Sequence, residues 1–254
     1  MRGRLIGVFV GICVAVVMLV SCAAAPPGDA SPAAPESSTT QSPGTRSTGT
    51  APAGAERFAG VCAGIAHCRV VADRDVDGDG ERDKVAWVQR SKKLVVIRVR
   101  TADGERLHRS VDVSWWYGGG AWGGATRIDG RRGVELVIGS TMGAHTPGYT
   151  MLTYRRGSLR VLDSPRNEDH WYIDAAYSVL AGWWRSTPGD RVTMTYKDAL
   201  RTRSDTFRGA NTTYVWRDGH WAKARADKTS YRNLNRANRI AGWHVHGLAE
   251  WPGF

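Results

Sequence analysis

The chain has 254 residues and a formal net charge of +11, with 35 basic against 24 acidic side chains. Apolar residues make up 42% and charged residues 23%, a balance that allows a folded core and excludes a fully disordered chain. The 30 glycines follow no three-residue period, so a collagen-like chain is excluded as well. This length predicts one or two domains.

The N-terminal residues carry the pattern of a secretory signal. Two arginines precede an uninterrupted apolar run over residues 5–20, which is short for a membrane-spanning helix. The run ends in Leu-Val-Ser-Cys, which resembles the lipobox of bacterial lipoproteins. The resemblance implies a signal peptide over residues 1–21, cleavage before Cys22 and an acyl-glycerol anchor on the Cys22 thiol. An ordinary cleaved signal and an uncleaved anchor are the alternatives. The predicted location is the extracytoplasmic face of the cell membrane, which argues against nucleic-acid binding.

A linker is predicted between this anchor and the folded part. Residues 23–55 are rich in Pro, Ala, Ser and Thr and contain no Leu, Ile, Val, Phe, Tyr or Trp. Such a segment cannot bury enough apolar area to offset the loss of chain entropy, so residues 22–55 are predicted to be disordered. The folded part is predicted over residues 56–254. Its positive charge favours weak attraction to an anionic cell envelope, with solubility alone as the alternative.

Two cysteines lie in the folded part, Cys62 and Cys68. A cysteine pair outside the cytoplasm predicts a disulfide, because that compartment is oxidising. A metal site built on two cysteines would need further ligands, and only His67 lies next to them in the sequence.

The chain after residue 69 is predicted to consist of strands and turns. Segments rich in β-branched or alternating residues predict strands over residues 84–88, 94–99, 134–138, 149–154 and 191–196. An Asp-Gly turn at residues 218–219 predicts a hairpin. Helical periodicity is confined to residues 232–241. The pattern predicts an all-β fold, as propeller-like blades of an incomplete propeller or as a compact β-sandwich.

The segment of residues 75–83 is the most informative motif, because it carries five acidic residues among nine. Gly80 at its sixth position allows a sharp turn. Alternating carboxylates on a tight turn suit Ca²⁺, which takes about six to eight oxygen ligands, better than Mg²⁺, which demands octahedral geometry. We predict a Ca²⁺ site, with a solvated polar turn as the alternative. The predicted ligands are Asp75, Asp77, Asp79, Asp83 and the backbone carbonyl of Glu81.

The motif is not an EF-hand loop, because Ala86 stands where an EF-hand has its twelfth-position Glu and a strand follows instead of a helix. The pattern resembles the Asp-x-Asp-x-Asp-Gly-x-x-Asp calcium loop of FG-GAP and VCBS repeats, which joins two strands of a propeller blade. The resemblance covers residues 70–160 and implies Ca²⁺ bound by the four aspartates. With the lipobox and this calcium-loop pattern together, the chain resembles lipid-anchored proteins of high-GC Gram-positive bacteria, most of which have no assigned activity.

A degenerate second copy of the motif follows in the sequence. An acid, a glycine, four residues and a second acid precede a strand at residues 77–83 and again at residues 129–135, an offset of 52 residues. Arg131 and Arg132 stand in the second copy where the first has an acid and a glycine. The second copy is therefore predicted to hold no metal and to have an arginine in its place.

Aromatic side chains alternate with glycines over residues 115–124. They form a candidate platform for stacking a sugar ring or a peptide, made of Trp115, Trp116, Tyr117 and Trp122. In the alternative interpretation, Trp115 or Trp116 packs in the core and the glycines form an irregular turn.

Two functions from different classes are consistent with these features. The calcium loop, the linker and the aromatic segment favour a lipid-anchored interaction or structural module that contacts an anionic envelope polymer, a carbohydrate or another protein. The alternative is an extracytoplasmic hydrolase acting on cell-wall or carbohydrate substrate. It is supported only by scattered groups, such as Ser140 with His145 and the adjacent acids Glu168 and Asp169. The sequence favours the non-enzymatic role, and no catalytic residue is predicted.

Overall fold

Three sheets, antiparallel except for one parallel pair of strands in the third, follow one another along the chain in the computed structural model, which describes residues 60–189 and 191–249. The predicted signal peptide, the lipid site Cys22 and the linker up to residue 55 all lie outside these residues. The predicted all-β class is confirmed. None of the three sheets closes on itself, which is compatible with an incomplete propeller or a β-sandwich.

The first sheet is a four-stranded meander in which neighbours in sequence are neighbours in space. Its strands are β1 (Cys68–Arg74), β2 (Asp83–Ser91), β3 (Leu94–Arg100) and β4 (Arg106–Asp112). The predicted strands 84–88 and 94–99 are the two central ones. Val95, Ile97 and Val99 are buried, as the two-residue period of a strand requires for one face of β3.

The second sheet repeats this meander and adds a short strand at its side. Its strands are β5 (Ala121–Thr126), β6 (Glu135–Met142), β7 (Pro147–Tyr154), β8 (Leu159–Val161) and β9 (Trp171–Tyr172), of which β9 pairs with β7. β5 differs from expectation, because its two glycines favour an irregular turn. A Cβ on Gly123 would press on Val137, and one on Gly124 would overlap the backbone of Gly247, so close packing explains both glycines.

The third sheet contains the longest strands. Its strands are β10 (Asp174–Ala175), β11 (Val179–Ser186), β12 (Thr193–Arg201), β13 (Phe207–Arg217), β14 (His220–Tyr231) and β15 (Gly242–His244), of which β13 and β14 are the longest. β10 to β14 follow in order, and β15 pairs in parallel with β11. The predicted hairpin is confirmed: Asp218 and Gly219 join β13 to β14 with φ of 49° and 84°.

Helical structure within the predicted region 232–241 is limited to two short turns. One is the α-helical turn Leu234–Ala237, whose first residue is preceded by Asn233, and the other is the 3-10 turn Asn238–Ile240. The Asn233 side chain accepts a hydrogen bond from the Arg236 N–H, as an N-cap residue does. Among the described residues, no helix has the length and apolar character needed to cross a membrane.

One hydrophobic core extends through all three sheets. Trp171 and Trp183 are its largest fully buried side chains, with ring centroids 4.9 Å apart. The indole N–H of Trp171 donates to the Leu162 carbonyl and that of Trp183 to the Tyr172 carbonyl, both at 3.0 Å. These bonds satisfy the polar edge of each ring, so both tryptophans act as core residues.

Cys62 and Cys68 form a disulfide with their Cα atoms 5.5 Å apart. The predicted pairing is therefore confirmed. The bond links the short helical segment at residues 60–62 to the beginning of β1, so it fastens the start of the described chain to the first sheet.

Candidate metal centre

The 52-residue repeat in the sequence is also a structural repeat. Ala72 pairs with Val85 across β1 and β2, and Gly124 pairs with Val137 across β5 and β6. The register is interrupted at the matching place in both sheets, next to Ala72 and next to Gly124. The pairing of β2 with β3 likewise recurs between β6 and β7. The acidic turns of the two copies therefore occupy equivalent positions, between the first and second strands of their sheets.

Asp83 closes the turn of the first copy. Its Oδ2 atom accepts hydrogen bonds from the N–H groups of Val76 at 2.7 Å and Asp77 at 3.4 Å. Its Oδ1 atom accepts a third from the Ala102 N–H at 3.0 Å, which joins the β1–β2 turn to the β3–β4 turn. Burial raises the pKa of Asp83 to about 6, and the nearby Asp77 charge acts in the same direction.

Three carboxylates converge in this turn. Asp75, Asp77 and Asp83 each bring one oxygen to within 4.8 Å of the others. The Asp75 side chain accepts a bond from the Gly78 N–H at 2.7 Å, and the Asp77 side chain accepts one from the Asp79 N–H at 3.1 Å. Burial first, and then the neighbouring carboxylates, raise the pKa of Asp77. A cation bound among the three would oppose the effects of burial and of charge repulsion on the pKa of Asp77, because it favours the charged form of each acid.

Asp79 and Glu81, the two remaining predicted ligands, lie at the exposed rim of the turn. The Asp79 side chain accepts a hydrogen bond from the Glu81 N–H at 2.7 Å. Neither side chain belongs to the group of three converging carboxylates. The structure thus brings together three of the predicted ligands, and participation of the Glu81 carbonyl stays a prediction.

Glu135 has in the second copy the position that Asp83 has in the first. Its Oε2 atom accepts bonds from the N–H groups of Ile128 at 2.7 Å and Asp129 at 3.4 Å, the same two distances as at Asp83. Its Oε1 atom accepts a bond from the Thr153 hydroxyl at 2.8 Å. The closing carboxylate is therefore part of the scaffold of both turns, whether or not a metal binds.

In the second copy, an arginine side chain supplies the positive charge beside the buried aspartate. Asp129 is buried and forms an ion pair with Arg155, which lies in the turn between β7 and β8. The sequence predicts an arginine at this place, and the structure identifies it as Arg155 rather than Arg131 or Arg132. Arg131 contributes only its backbone N–H to this aspartate, at 2.7 Å from Oδ1.

Asp103 is the counterpart of Arg155 in the first copy and was missed by sequence reasoning. It lies 52 residues earlier, in the turn between β3 and β4. The N–H of its neighbour Ala102 donates to Asp83 Oδ1 at 3.0 Å, so this turn lies against the acidic turn, and the Asp103 charge acts to raise the pKa of Asp77. Continuing the repeat beyond residue 83 would have found it. The first copy thus has a carboxylate where the second has a guanidinium, so its acidic turn lacks the counterpart of the arginine that pairs with Asp129.

The buried acid of the second copy predicts a pH dependence of stability. Burial, with the Asp129 charge in addition, raises the pKa of Glu135 above its ordinary value of 4.5. The folded state therefore holds a proton that the unfolded chain has lost, so the free energy of unfolding falls as pH rises from about 4.5 towards the raised pKa. Thermal unfolding in steps from pH 4 to 8 should show this fall. The isosteric variant Glu135→Gln should show a shallower one, and equal slopes would contradict the prediction.

The turns of the two copies lie side by side. The Val134 N–H donates to the Asp75 carbonyl at 2.9 Å. A Cβ on Gly78 would lie 2.6 Å from Cβ of Arg132, and one on Gly133 would overlap a carbonyl oxygen of the first turn. Both glycines also have positive φ, of 88° and 83°. Glycine is therefore needed at both positions for the two turns to approach this closely.

The aromatic segment is divided between surface and core. Trp115 and Tyr117 are 79% and 95% exposed. Trp116 is buried and its ring centroid lies 5.7 Å from that of Tyr149, while Trp122 packs against the same core. Of the four predicted platform residues, Trp115 and Tyr117 remain available to a ligand. Trp116 takes the core position considered as the alternative.

The groups that suggested a hydrolase have other partners. The buried Ser140 hydroxyl lies 2.9 Å from the Thr150 hydroxyl, whereas Nδ1 of His145 lies 2.9 Å from Oδ1 of Asp174. Glu168 forms an ion pair with Arg166 at 2.9 Å. The hydrogen bonds of Ser140 and His145 thus lead to different residues, and the pair lacks the contact that joins a nucleophile to its base.

Comparison with known proteins assigns no family: the chain matches no protein-family model, no curated protein and no solved structure. A function for this chain therefore has to be inferred from the chemistry of its own residues.

Proposed function

We propose that the chain is a calcium-binding β-domain that acts as an interaction module on the extracytoplasmic face of the cell membrane, anchored by a lipid on Cys22. The signal-like apolar run and the lipobox-like sequence before Cys22 support the location. The similarity of the acidic turn to FG-GAP calcium loops supports the choice of metal. Two acyl chains, at roughly 0.8 kcal/mol per buried methylene, would hold the domain stably at the membrane.

The convergence of Asp75, Asp77 and Asp83 is the observation that carries the calcium proposal. Three carboxylates supply up to six oxygens, and Ca²⁺ takes about six to eight at roughly 2.3–2.6 Å. The second copy supports this interpretation, because the same scaffold there carries Arg155 beside its buried acid. In the first copy, the equivalent turn carries Asp103 and so adds to the negative charge.

An interaction role is supported by the exposed aromatic pair. Trp115 and Tyr117 project from a segment in which Gly118, Gly119 and Gly120 all have positive φ. Exposed aromatic rings of this kind offer apolar faces for stacking together with a polar edge. We propose that they contact a sugar or peptide of the cell envelope.

Thermal unfolding of the full chain in millimolar Ca²⁺ and in EDTA tests the calcium proposal. Ca²⁺ at about one hundred times its Kd should add about 2.7 kcal/mol to the free energy of unfolding. For a domain of this size, that corresponds to a rise in Tm of about 5–10 °C. Mg²⁺ at the same concentration should give a smaller rise, because the turn does not impose octahedral geometry.

Two matched variants locate the effect. Asp77→Asn removes a charge from the converging carboxylates and should abolish most of the Ca²⁺-dependent rise in Tm. Glu81→Gln removes a charge from the exposed rim of the same turn and leaves the backbone carbonyl in place, so it should keep the rise. Equal Tm values in Ca²⁺ and EDTA for the unmodified chain would show that the motif is a polar turn only.

A further inference from the structure

A cleft of about 560 Å³ lies where turns from all three sheets meet. Its lining residues come from the β1–β2 turn, the β5–β6 connection, the β7–β8 turn with the adjoining strand ends, and the β13–β14 turn. Five arginines line it, together with Tyr154, Gly219 and one acid, Asp77. The arginines are Arg131, Arg132, Arg155, Arg156 and Arg160.

Only one of these arginines has an acidic partner within residues 60–189 and 191–249. Arg155 is paired with the buried Asp129. The other four are exposed, and no ion pair of the described chain includes them. Four guanidinium groups around one cleft repel each other, so an anion bound among them would lower the electrostatic energy of the site.

Three of these arginines are placed by close packing or by the backbone conformation of a turn. Arg131 follows the buried Asp129 and has its guanidinium against Gly219, where a Cβ would lie 3.3 Å from Nη2. Arg132 packs on Gly78 of the neighbouring turn. Arg156 adopts a left-handed conformation, with φ of 51°, in the β7–β8 turn. Arg131, Arg132 and Arg156 thus lie on turns and Arg160 lies on strand β8, so the backbone that carries these side chains is already ordered before an anion binds.

We propose that this cleft binds a linear chain of phosphate groups, such as a polyphosphate or a phosphodiester-linked polymer. Arginine forms paired, charge-assisted hydrogen bonds with phosphate oxygens, and successive phosphates supply the closely spaced charges that four arginines require. A carbohydrate with occasional carboxylates has a lower density of charge. The inference names a ligand class for the interaction role proposed above. It rests on the arginines, but Asp77 belongs to both sites, so Ca²⁺ bound there would offset the one negative charge that lines the cleft.

Isothermal titration of the full chain with sodium tripolyphosphate tests the inference. The buffer should be stripped of metal without a chelator, because EDTA is itself a polyanion and tripolyphosphate binds Ca²⁺. Binding should be saturable, and it should weaken about tenfold between 50 and 200 mM salt, because arginine–phosphate contacts release counterions. The absence of any measurable heat of tripolyphosphate binding would overturn the proposal. The calcium proposal would be unaffected by that result.

Two double variants that lose the same charge decide whether the cleft is the site. Arg131→Gln/Arg160→Gln removes two cleft arginines that form no ion pair, and it should weaken tripolyphosphate binding at least tenfold. Arg208→Gln/Arg236→Gln removes two exposed arginines that do not line the cleft, and it should change the affinity less than twofold. Unchanged Tm values in both variants confirm that the fold is intact. Equal losses in the two variants would show that net charge, not the cleft, attracts the anion.

Binding to vesicles of phosphatidylglycerol and phosphatidylcholine distinguishes a lipid surface from a chain of phosphates as the ligand of the cleft. The proposal expects the cleft variant to lose tripolyphosphate binding while vesicle binding changes no more than in the control variant. If tripolyphosphate does not bind and vesicle binding depends on Arg131 and Arg160, the cleft recognises a lipid surface and the proposal is wrong.

Discussion

Replacing Arg155 by methionine should lower the free energy of unfolding by about 3 kcal/mol, because it leaves the charge of the buried Asp129 without its partner. Methionine keeps much of the length and apolar bulk of the arginine stem, so the loss would reflect charge rather than a cavity. Glu135 lies in the same buried group, and its carboxylate would no longer be opposed by the guanidinium. Urea denaturation at pH 7, with ΔG taken by linear extrapolation, measures the effect.

A double-mutant cycle separates the ion pair from general effects of the substitution. Asp129→Asn combined with Arg155→Met removes both charges, and we expect the double variant to regain most of the lost free energy of unfolding. Arg160→Gln is the matched control, because it removes an exposed arginine from the same cleft and should change stability by less than about 0.5 kcal/mol. Additive losses in the cycle would contradict a direct Arg155–Asp129 interaction.

Gly182→Ala is expected to cost about 3 kcal/mol, since a single added methyl group has no room between β11 and β15. Gly182 pairs with Gly242, and a Cβ on Gly182 would overlap the carbonyl oxygens of Ile240 and Gly242. These are backbone atoms, so they cannot move away by changing rotamer. In a domain of this size, Tm should fall by about 6–12 °C.

Gly143→Ala is the control for this substitution. A Cβ there would meet the Thr146 carbonyl at 3.4 Å, an ordinary contact distance, and the variant should unfold within about 2 °C of the unmodified chain. Scanning calorimetry of the two variants side by side tests the difference. A Gly182→Ala variant as stable as Gly143→Ala would mean that β15 does not pack on β11 as the structure shows.

The strands that could be predicted are those in which the order of apolar and polar residues within the strand itself matches the observed pattern of burial. β3 alternates buried and partly exposed residues, and β2 carries a continuous buried stretch, so both are visible as patterns. β11 was not predicted, because Gly182 interrupts it and two adjacent tryptophans break the alternation. That glycine is required by β15, about 60 residues further along the chain, so the reason for it is not present in any local window.

The same distinction holds for the candidate metal centre. Asp75, Asp77 and Asp83 lie within one turn, and the hydrogen bonds that orient them are formed almost entirely inside it, so the motif alone indicates their convergence. Asp103 lies in the β3–β4 turn and Arg155 in the equivalent β7–β8 turn, so each is outside the acidic turn of its own copy. Their positions depend on how the third and fourth strands of a sheet fold back onto the first turn, which short-range spacing does not describe.

The residues 242–249 connect two sheets that are otherwise made of local hairpins. β15 pairs with β11 of the third sheet, while the Ala249 N–H donates to the Gly123 carbonyl of β5 at 3.0 Å and the Thr126 hydroxyl donates to His246 O at 2.6 Å. Hairpins form within microseconds once their strands are available, so the first two sheets can form before residues 242–249 pack on them. Until then β5 is an edge strand without this cover, open to pairing with other chains, so we expect substitutions that detach residues 242–249 to promote aggregation.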